Sequence, residues 1–506
     1  MSGAGGRSPL LAAVDVGTTG ARAMAIDLDG RVVAEVRRGY PTRSPHPGWA
    51  EQDPRDWGDR ALEALAGLGA RSRVAPRIVG IGLTGQCPTI APFDARGRPV
   101  GPGLIYRDNR AAAEADLMRR TLGARRLHRR TGHTAEAFHV GPKLLWLRSH
   151  RPDVFSRTAR FLAPRDVVAR RLTGREATDE THANATLFYD LRERCWAPDL
   201  FDAFDLDPGI FPRALPPWEV LDSLRARTAS TLGLPAGIPV VIGAADSQCV
   251  AFGASTVDPG PISEMAGASS CLNSAVLAPL DDPRVTHYSH VVPDRYCTEL
   301  GLNTTGAAVD WAIDRLGYVD HAAFIRDAAA FRRRMLVRRG ADDVRELAPL
   351  FLPYLGDGER DDPTIRAGFV GLSSRHARAA LAFAVFEGIA LGIRSVVEVL
   401  REAGSPTEEL RVGGGAARLG VLGQIKADAL AIPVLHLDGD ASAVGTALLA
   451  AAAAGLGSEV AHAQASFLAR GRRFRPSRAG LEAIERRARW FEEVRSSPEV
   501  HLGGGS

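Results

Sequence analysis

Residues 10–33 read LLAAVDVGTTGARAMAIDLDGRVV, and the fold is decided in this stretch. An apolar run reaches Asp15, then come Gly17-Thr18-Thr19-Gly20, a second apolar run to Asp27, and Asp29-Gly30 before Val32-Val33. The pattern predicts a β-hairpin turning at Gly17 to Gly20, with a third strand after Asp29-Gly30. Glycines let such a turn bring backbone N–H groups close to a ligand, and the two threonines add hydroxyls. Asp15, at the strand end, offers an oxygen to a hard cation. Glycine, hydroxyl and carboxylate together suit the phosphates of a magnesium nucleotide. A plain hairpin with threonine in its turn fits the same residues.

Length extends the reading beyond one core: 506 residues predict two large domains. A content of 45% hydrophobic and 24% charged residues is that of a globular protein. The run Ala447 to Ala454 is too short to span a bilayer, and MSGAGGRSPLL lacks the apolar centre of a secretory signal. Five scattered cysteines without a CxxC pair argue for a reducing cytoplasm and against a zinc or disulfide framework. The net charge is +4, and of 63 basic residues lysine occurs only at Lys143 and Lys426. The arginine clusters 119–130 and 332–339 lie in helix-like segments without aromatic platforms and read as solvated faces, not as nucleic-acid sites.

Further along the chain, Ile78 to Leu83 predicts a buried strand, and the loop Thr84-Gly85-Gln86-Cys87-Pro88-Thr89 follows it. A loop at a strand's carboxyl end is where open α/β sheets place ligands. GLIYRDNR, 103–110, brings Tyr106, Asp108 and Arg110 together, either to hold sugar hydroxyls or as a surface ion pair at a helix start. In GIPVVIGAADSQCVAFGAS, 237–255, a strand ends in small residues and Asp246 opens a helix; an N-cap and a ligand-facing carboxylate both fit. Two strands flank Gly267-Ala268-Ser269-Ser270, a second glycine-hydroxyl hairpin. Ala377 to Glu402 carries Leu381, Val385, Gly388, Leu391, Ser395 and Val399 on one helical face. Gly413-Gly414-Gly415 precedes a helix and permits close approach of a ring or phosphate. The segment from Ile432 reads as a strand and a small-residue helix closing the second domain, and HLGGGS reads as a disordered end.

The order DVGTTG, GLTGQ, YRDNR, GAADSQ, GASS, GERDDP, VGGGAAR, AVGTALLA resembles the FGGY carbohydrate kinases, xylulokinases above all, over roughly Leu10 to Gly455. The resemblance implies an α/β fold of two ribonuclease-H-like (actin-like ATPase) lobes around a central cleft. The first would span 9–255 and the second 256–490, with 491–506 a flexible tail. It implies that Asp15 holds Mg²⁺, that Gly17, Thr18 and Thr19 contact the β- and γ-phosphates of ATP, and that Asp246 is the general base. Gly267, Ser269 and Ser270 would belong to a second phosphate loop, with Gly306, Gly414, Gly415 and Ala416 along the ribose and adenine. Gln86, Cys87, Asp108 and Asp246 would face the sugar. The implied reaction is transfer of the γ-phosphate to a hydroxyl of a ketose by a monomer or homodimer, with no nucleic-acid or membrane partner. A kinase of a tetritol or pentitol, or a weakly catalytic sugar-binding protein, fits the same motifs. Three departures stand out: Cys87-Pro88 where xylulokinases usually carry Met-His, Ala268 where the second loop usually has Thr, and a loop GDGER at 356–360 one residue longer than usual.

Overall fold

The structure, a computed structural model, describes residues 8–337, 347–356, 359, 362 and 364–501. Much of the GDGER loop, and all of the terminal HLGGGS except His501, therefore lie outside the described residues. The chain divides into two compact units, one of Met1–Val257, Ala275–Thr298 and Gly439–Ala469, the other of Asp258–Ser274, Glu299–Asp438 and Arg470–Ser506.

In the first unit the opening stretch forms β1 (Leu10–Val16), β2 (Gly20–Ile26) and β3 (Val32–Gly39). Every residue of β1 is buried, which explains its unbroken apolar run, while β3 at the sheet edge is charged and largely exposed. Helix α1 (Pro54–Gly69) starts where Asp53 accepts a hydrogen bond from Arg55 N at 3.0 Å and Pro54 takes the first helical position. Its Trp57, Ala61, Ala64, Leu65 and Leu68 join the core against Leu10, Ala12 and Val14. Next come β4 (Ile78–Gly85), α2 (Val140–His150), β5 (Val220–Ser223), β6 (Pro239–Ala245) and α3 (Asp246–Gly253). The sheet order is β5-β6-β4-β1-β2-β3, with β6, β4 and β1 parallel.

The second unit repeats this plan. Its strands β7 (Gly260–Ala266), β8 (Ser270–Val276) and β9 (Tyr296–Leu302) precede α4 (Gly306–Arg315) and α5 (Arg378–Glu402). They are followed by β10 (Thr407–Gly414), α6 (Gly420–Leu430) and β11 (Val434–His436). After α7 (Ala441–Ala453), β12 (Arg472–Phe474) and α8 (Arg478–Arg495) complete the unit. The order β9-β8-β7-β10-β11-β12 parallels that of the first sheet, including an antiparallel last strand, and a seventh strand, Thr286–Ser289, is added beside β9. By length and composition α5 could cross a membrane, but most of it is buried inside the protein, as a core helix is.

Two expectations change. Helix α7 does not close the second domain; it belongs to the first unit. Small residues are the reason: a Cβ on Gly82 would lie 2.0 Å from the Thr446 carbonyl oxygen, and one on Gly445 would lie 1.9 Å from that of Cys249. Such backbone-to-backbone approach fixes α7 against β4 and α3. Residues 491–501, expected as tail, carry structure: α8 runs to Arg495 with Phe491 buried, and His501 bridges to Ile365. Arg487 anchors α8, with Nε 2.6 Å from Glu387 and Nη donors 3.0 Å from the carbonyls of Ala348 and Pro349.

Candidate active site

Register alone gathers the first group of residues. Val16 lies opposite Gly85 and Gly85 opposite Ala245, so Asp15, Gly17, Gln86 and Asp246 leave the carboxyl edge of three adjacent parallel strands. Gly243 makes this possible on β6: it has φ +74, and a Cβ there would sit 1.6 Å from the Leu83 carbonyl oxygen. The register shifts between Val241 and Ala244 as a result. Asp246 opens α3 and is partly exposed, and its Oδ1 accepts from Ser247 N at 2.9 Å.

The turn after β1 is built by tying down its carbonyls. Gly17 N donates to Gly20 O at 3.1 Å. The Gly17 carbonyl accepts from the Tyr40 hydroxyl and, at 3.3 Å, from Gln86 Nε2; the Thr18 carbonyl accepts from Gln52 Nε2 at 2.7 Å; the Thr19 carbonyl accepts from Tyr40 N at 3.3 Å. In a trans peptide the N–H points opposite the C=O. The amides of Thr18 and Thr19 are therefore turned away from these anchors, as an anion-binding nest requires. Gln86, read from the sequence as sugar-facing, has its Nε2 shared between the turn and Gln52 Oε1, 2.8 Å away.

Asp15 is buried and paired with Arg22, its register partner across the hairpin: Nη2 lies 2.6 Å and Nε 3.1 Å from Oδ2. Arg22 also donates to Asp440 at 2.7 Å. Burial pushes the Asp15 carboxyl up, and Arg22 opposes that shift. For Arg22 burial acts downward, and the two carboxylates outweigh it and hold the guanidinium charged. Asp15 Oδ1 has no hydrogen-bond partner among the described residues, and Asp15, Gly17, Thr19 and Arg22 line a cavity of about 420 Å³. One free carboxylate oxygen fits a magnesium ion that brings its remaining oxygens from phosphate and water. Among the described residues no group of three or more His, Cys, Asp or Glu forms a ready-made metal cage.

Asp108 is neither a surface ion pair nor an open sugar contact. It is fully buried; Oδ1 accepts from Arg110 Nε at 2.8 Å and Oδ2 from Arg110 Nη2 at 2.7 Å and Ala50 N at 2.6 Å. The Arg110 guanidinium stacks 3.6 Å over Trp49. The pair therefore shapes the loop from within. Cys87 is a half-buried cysteine outside any disulfide. Beneath it the buried Lys143 donates to Ile105 O at 2.8 Å and Pro88 O at 3.3 Å. Burial pulls the Lys143 amine down to about 7, with Asp108 and Cys87 opposing.

In the second unit the hairpin β7–β8 is wired the same way. Gly267 O accepts from Gly306 N at 3.1 Å, Ala268 O from Thr305 N at 2.9 Å and Ala307 N at 3.0 Å, and Ser269 O from Gly267 N at 2.8 Å. Gly306 must be glycine, since a Cβ there would stand 2.3 Å from Gly267 O. Ser270 Oγ donates to Glu264 at 2.7 Å and meets Thr305 Oγ1 at 3.0 Å. Glu264 is buried against Lys426, whose Nζ is 2.6 Å from both carboxylate oxygens. Gly414 ends β10, and Gly415 and Ala416 open the 3₁₀ turn before α6. In the described part of the GDGER loop, Glu359 accepts from Asn303 N at 2.9 Å.

Sequence reasoning missed Arg22, Gln52, Tyr40, Glu264 and Lys426. Signals for two of them existed: Arg22 follows from the register of the expected hairpin, and Lys426 is one of only two lysines in an arginine-rich chain. The arginine cluster from 119 is a salt-bridged face, with Arg126 and Arg130 on Asp199 at 3.0 and 2.9 Å; Arg338 and Arg339 lie outside the described residues.

The chain is similar to known proteins along most of its length. A xylulose kinase of Escherichia coli (strain K12) is 29% identical over 421 residues, 82% of this chain and 84% of that protein. A glycerol kinase of Alkalilimnicola ehrlichii is 31% identical over 503 residues, 96% of this chain and 97% of its own. The crystal structure of a xylulose kinase from Rhodospirillum rubrum superposes with a TM-score of 0.85 at 30% identity, covering 96% of this chain and 98% of that one. Residues 10–253 match the N-terminal domain, and residues 264–454 the C-terminal domain, of one family. With its two α/β units of the actin-like ATPase fold, the chain is a carbohydrate kinase and belongs to the FGGY family of carbohydrate kinases.

Proposed function

We propose that the protein transfers the γ-phosphate of Mg-ATP to a hydroxyl of a pentulose or a related ketose or polyol. The observation that carries this reading is the shared carboxyl edge of β1, β4 and β6. There Asp15 and the turn Gly17–Gly20 stand two strand spacings, roughly 10 Å, from Asp246. In this reading Asp246 orients the acceptor hydroxyl and takes its proton as the bond to phosphorus forms. The amides of Thr18 and Thr19, and those of Ala268 and Ser269, hold phosphate oxygens; Gly306, Gly414, Gly415 and Ala416 flank the nucleoside. Arg22 adds a fixed positive charge at the phosphates. Magnesium, bound through the free oxygen of Asp15, would neutralise phosphate charge. Asp108, Arg110 and Lys143 act by setting the loops around Cys87 and not by touching phosphate. Five cysteines outside any disulfide fit a reducing cytoplasm.

The test is ADP release from Mg-ATP with ketopentoses, ketohexoses, tetritols, pentitols, glycerol and D-gluconate, for the wild type and Asp246→Ala. One or a few acceptors should raise the rate above the ATP-only baseline, and Asp246→Ala should abolish that increment while still binding ATP. Undiminished turnover in Asp246→Ala would remove it from the mechanism.

A further inference from the structure

Beside Cys87 and Pro88 lies a cavity of about 10 Å³, also bordered by Thr89, Asp166, Thr178 and His182. That volume holds one water molecule or one hydroxyl group. Two polar atoms at its wall, His182 Nε2 and Thr89 Oγ1, are buried without a hydrogen-bond partner among the described residues. An unsatisfied buried polar atom costs on the order of 1–3 kcal/mol, so it calls for a ligand or a water.

The imidazole is held in one orientation. His182 Nδ1 is 2.7 Å from Asp179 Oδ2; with Nδ1–H donating to this carboxylate, the neutral ring would present the Nε2 lone pair to the cavity. Asp179 is fully buried and in turn held by Arg165, whose Nη1 is 2.7 Å away and also donates to the carbonyls of Ile242 and Gly243 at 2.8 and 3.1 Å. Burial alone would raise the Asp179 carboxyl; the Arg165 charge, with hydrogen bonds from His182 and Thr181, outweighs it and keeps it ionised. The other Asp179 oxygen accepts from the Thr181 hydroxyl and from Thr181 N at 2.8 Å, and Thr181 Oγ1 accepts from Ala245 N at 2.8 Å. Ala245 immediately precedes Asp246. The His182–Asp179 pair and the backbone that carries the proposed general base are thus one hydrogen-bonded unit.

We propose that His182 is a specificity-determining residue of the acceptor site: its Nε2 accepts a hydrogen bond from one hydroxyl of an uncharged ketose or polyol seated against Cys87 and Pro88. This rests on the kinase reading above. A lone pair selects a hydroxyl donor and offers an ionised carboxylate no hydrogen to accept. Neutral acceptors are therefore preferred over aldonates.

The test is steady-state ADP release by the wild type, His182→Met and His182→Gln, titrating D-xylulose, xylitol, glycerol and D-gluconate at saturating Mg-ATP, then ATP at fixed acceptor. Thermal midpoints of all three proteins are recorded alongside. Met fills the space without an acceptor, whereas the Gln carbonyl can accept. The expected result is a neutral preferred acceptor, a KM for it raised about tenfold or more in His182→Met, partial recovery in His182→Gln, and a KM for ATP within about twofold of wild type. If His182→Met does not fold, His182→Leu takes its place with the same reading. An unchanged acceptor KM, a parallel loss of ATP and acceptor binding in both variants, or D-gluconate as the preferred acceptor overturns the role of His182 alone. Silence of the wild type on all four acceptors overturns the kinase reading on them, and this role with it.

Discussion

Across the hairpin β1–β2, Asp15 and Arg22 keep 10% and 24% of their side chains exposed and border a cavity; behind the hairpin β7–β8, Glu264 and Lys426 keep 0% and 1%. Six strands around each turn follow the same order, and both turns anchor their carbonyls so that amides face away. One scaffold thus carries two turns of different charge. The first offers an incompletely paired carboxylate and a guanidinium, the donor set for a cation and polyphosphate together. The second has its charges cancelled internally and offers only backbone amides and hydroxyls. In the proposed function both hairpins would bind phosphate through backbone amides, and only the first adds a carboxylate and a guanidinium.

Variants at the four charged positions can break this contrast. The largest effect is expected from Lys426→Met, which strands a buried carboxylate and should cost about 3–5 kcal/mol in urea unfolding. Adding Glu264→Gln to it should restore much of the loss. Asp15→Asn should leave unfolding nearly unchanged and lower kcat/KM for ATP by about 10²–10³-fold in the coupled assay. A stability loss in Asp15→Asn as large as in Lys426→Met would erase the distinction.

Acid sharpens it more gently. Burial, with His128 and Arg192 adding, pulls the His287 imidazole in the first unit down to about 3, and burial pulls His133 down as well. The unfolded imidazole binds its proton near pH 6.5, so acid favours the unfolded chain. The stability is complete above about pH 6.5 and declines toward pH 3; at pH 5 His287 alone should have cost ~2 kcal/mol. In the second unit His436 is lowered to about 4, chiefly by burial with Lys426 adding, and costs about as much as His287 at pH 5; the first unit has His133 as a second such imidazole. Hydrogen exchange at pH 5 should show the first unit opening before the second. The smallest effect is expected from Ala268→Thr: the loop is held by its backbone, so the KM for ATP should move by no more than about threefold.

Local pattern made the first hairpin legible: strand, turn and Asp15 lie within one short segment, and β-hairpin register is a short-range property. The same holds for α5, expected from Ala377 and found from Arg378. What escaped depended on distant partners. For Asp108 the sequence offered a sugar contact or a surface pair, whereas its oxygens are filled by Arg110 and by Ala50, 58 residues away. For Gln86 the sequence supplied the edge position but not Gln52, which draws its amide toward the turn. Helix α7 reads as part of the second domain because chain order places it there; only its glycine contacts with β4 and α3 reveal where it packs.

That last feature bears on how the protein is made. The sheet face at Gly80 and Gly82 is covered by residues near Thr446 and Ala450, which leave the ribosome only after more than four-fifths of the chain has been synthesised. Until then the first unit presents an apolar, glycine-lined surface with nothing upon it, the kind of surface on which nascent chains aggregate or recruit chaperones. Fragments ending at Val257 should therefore be poorly soluble, and addition of residues 439–469 in trans should rescue them.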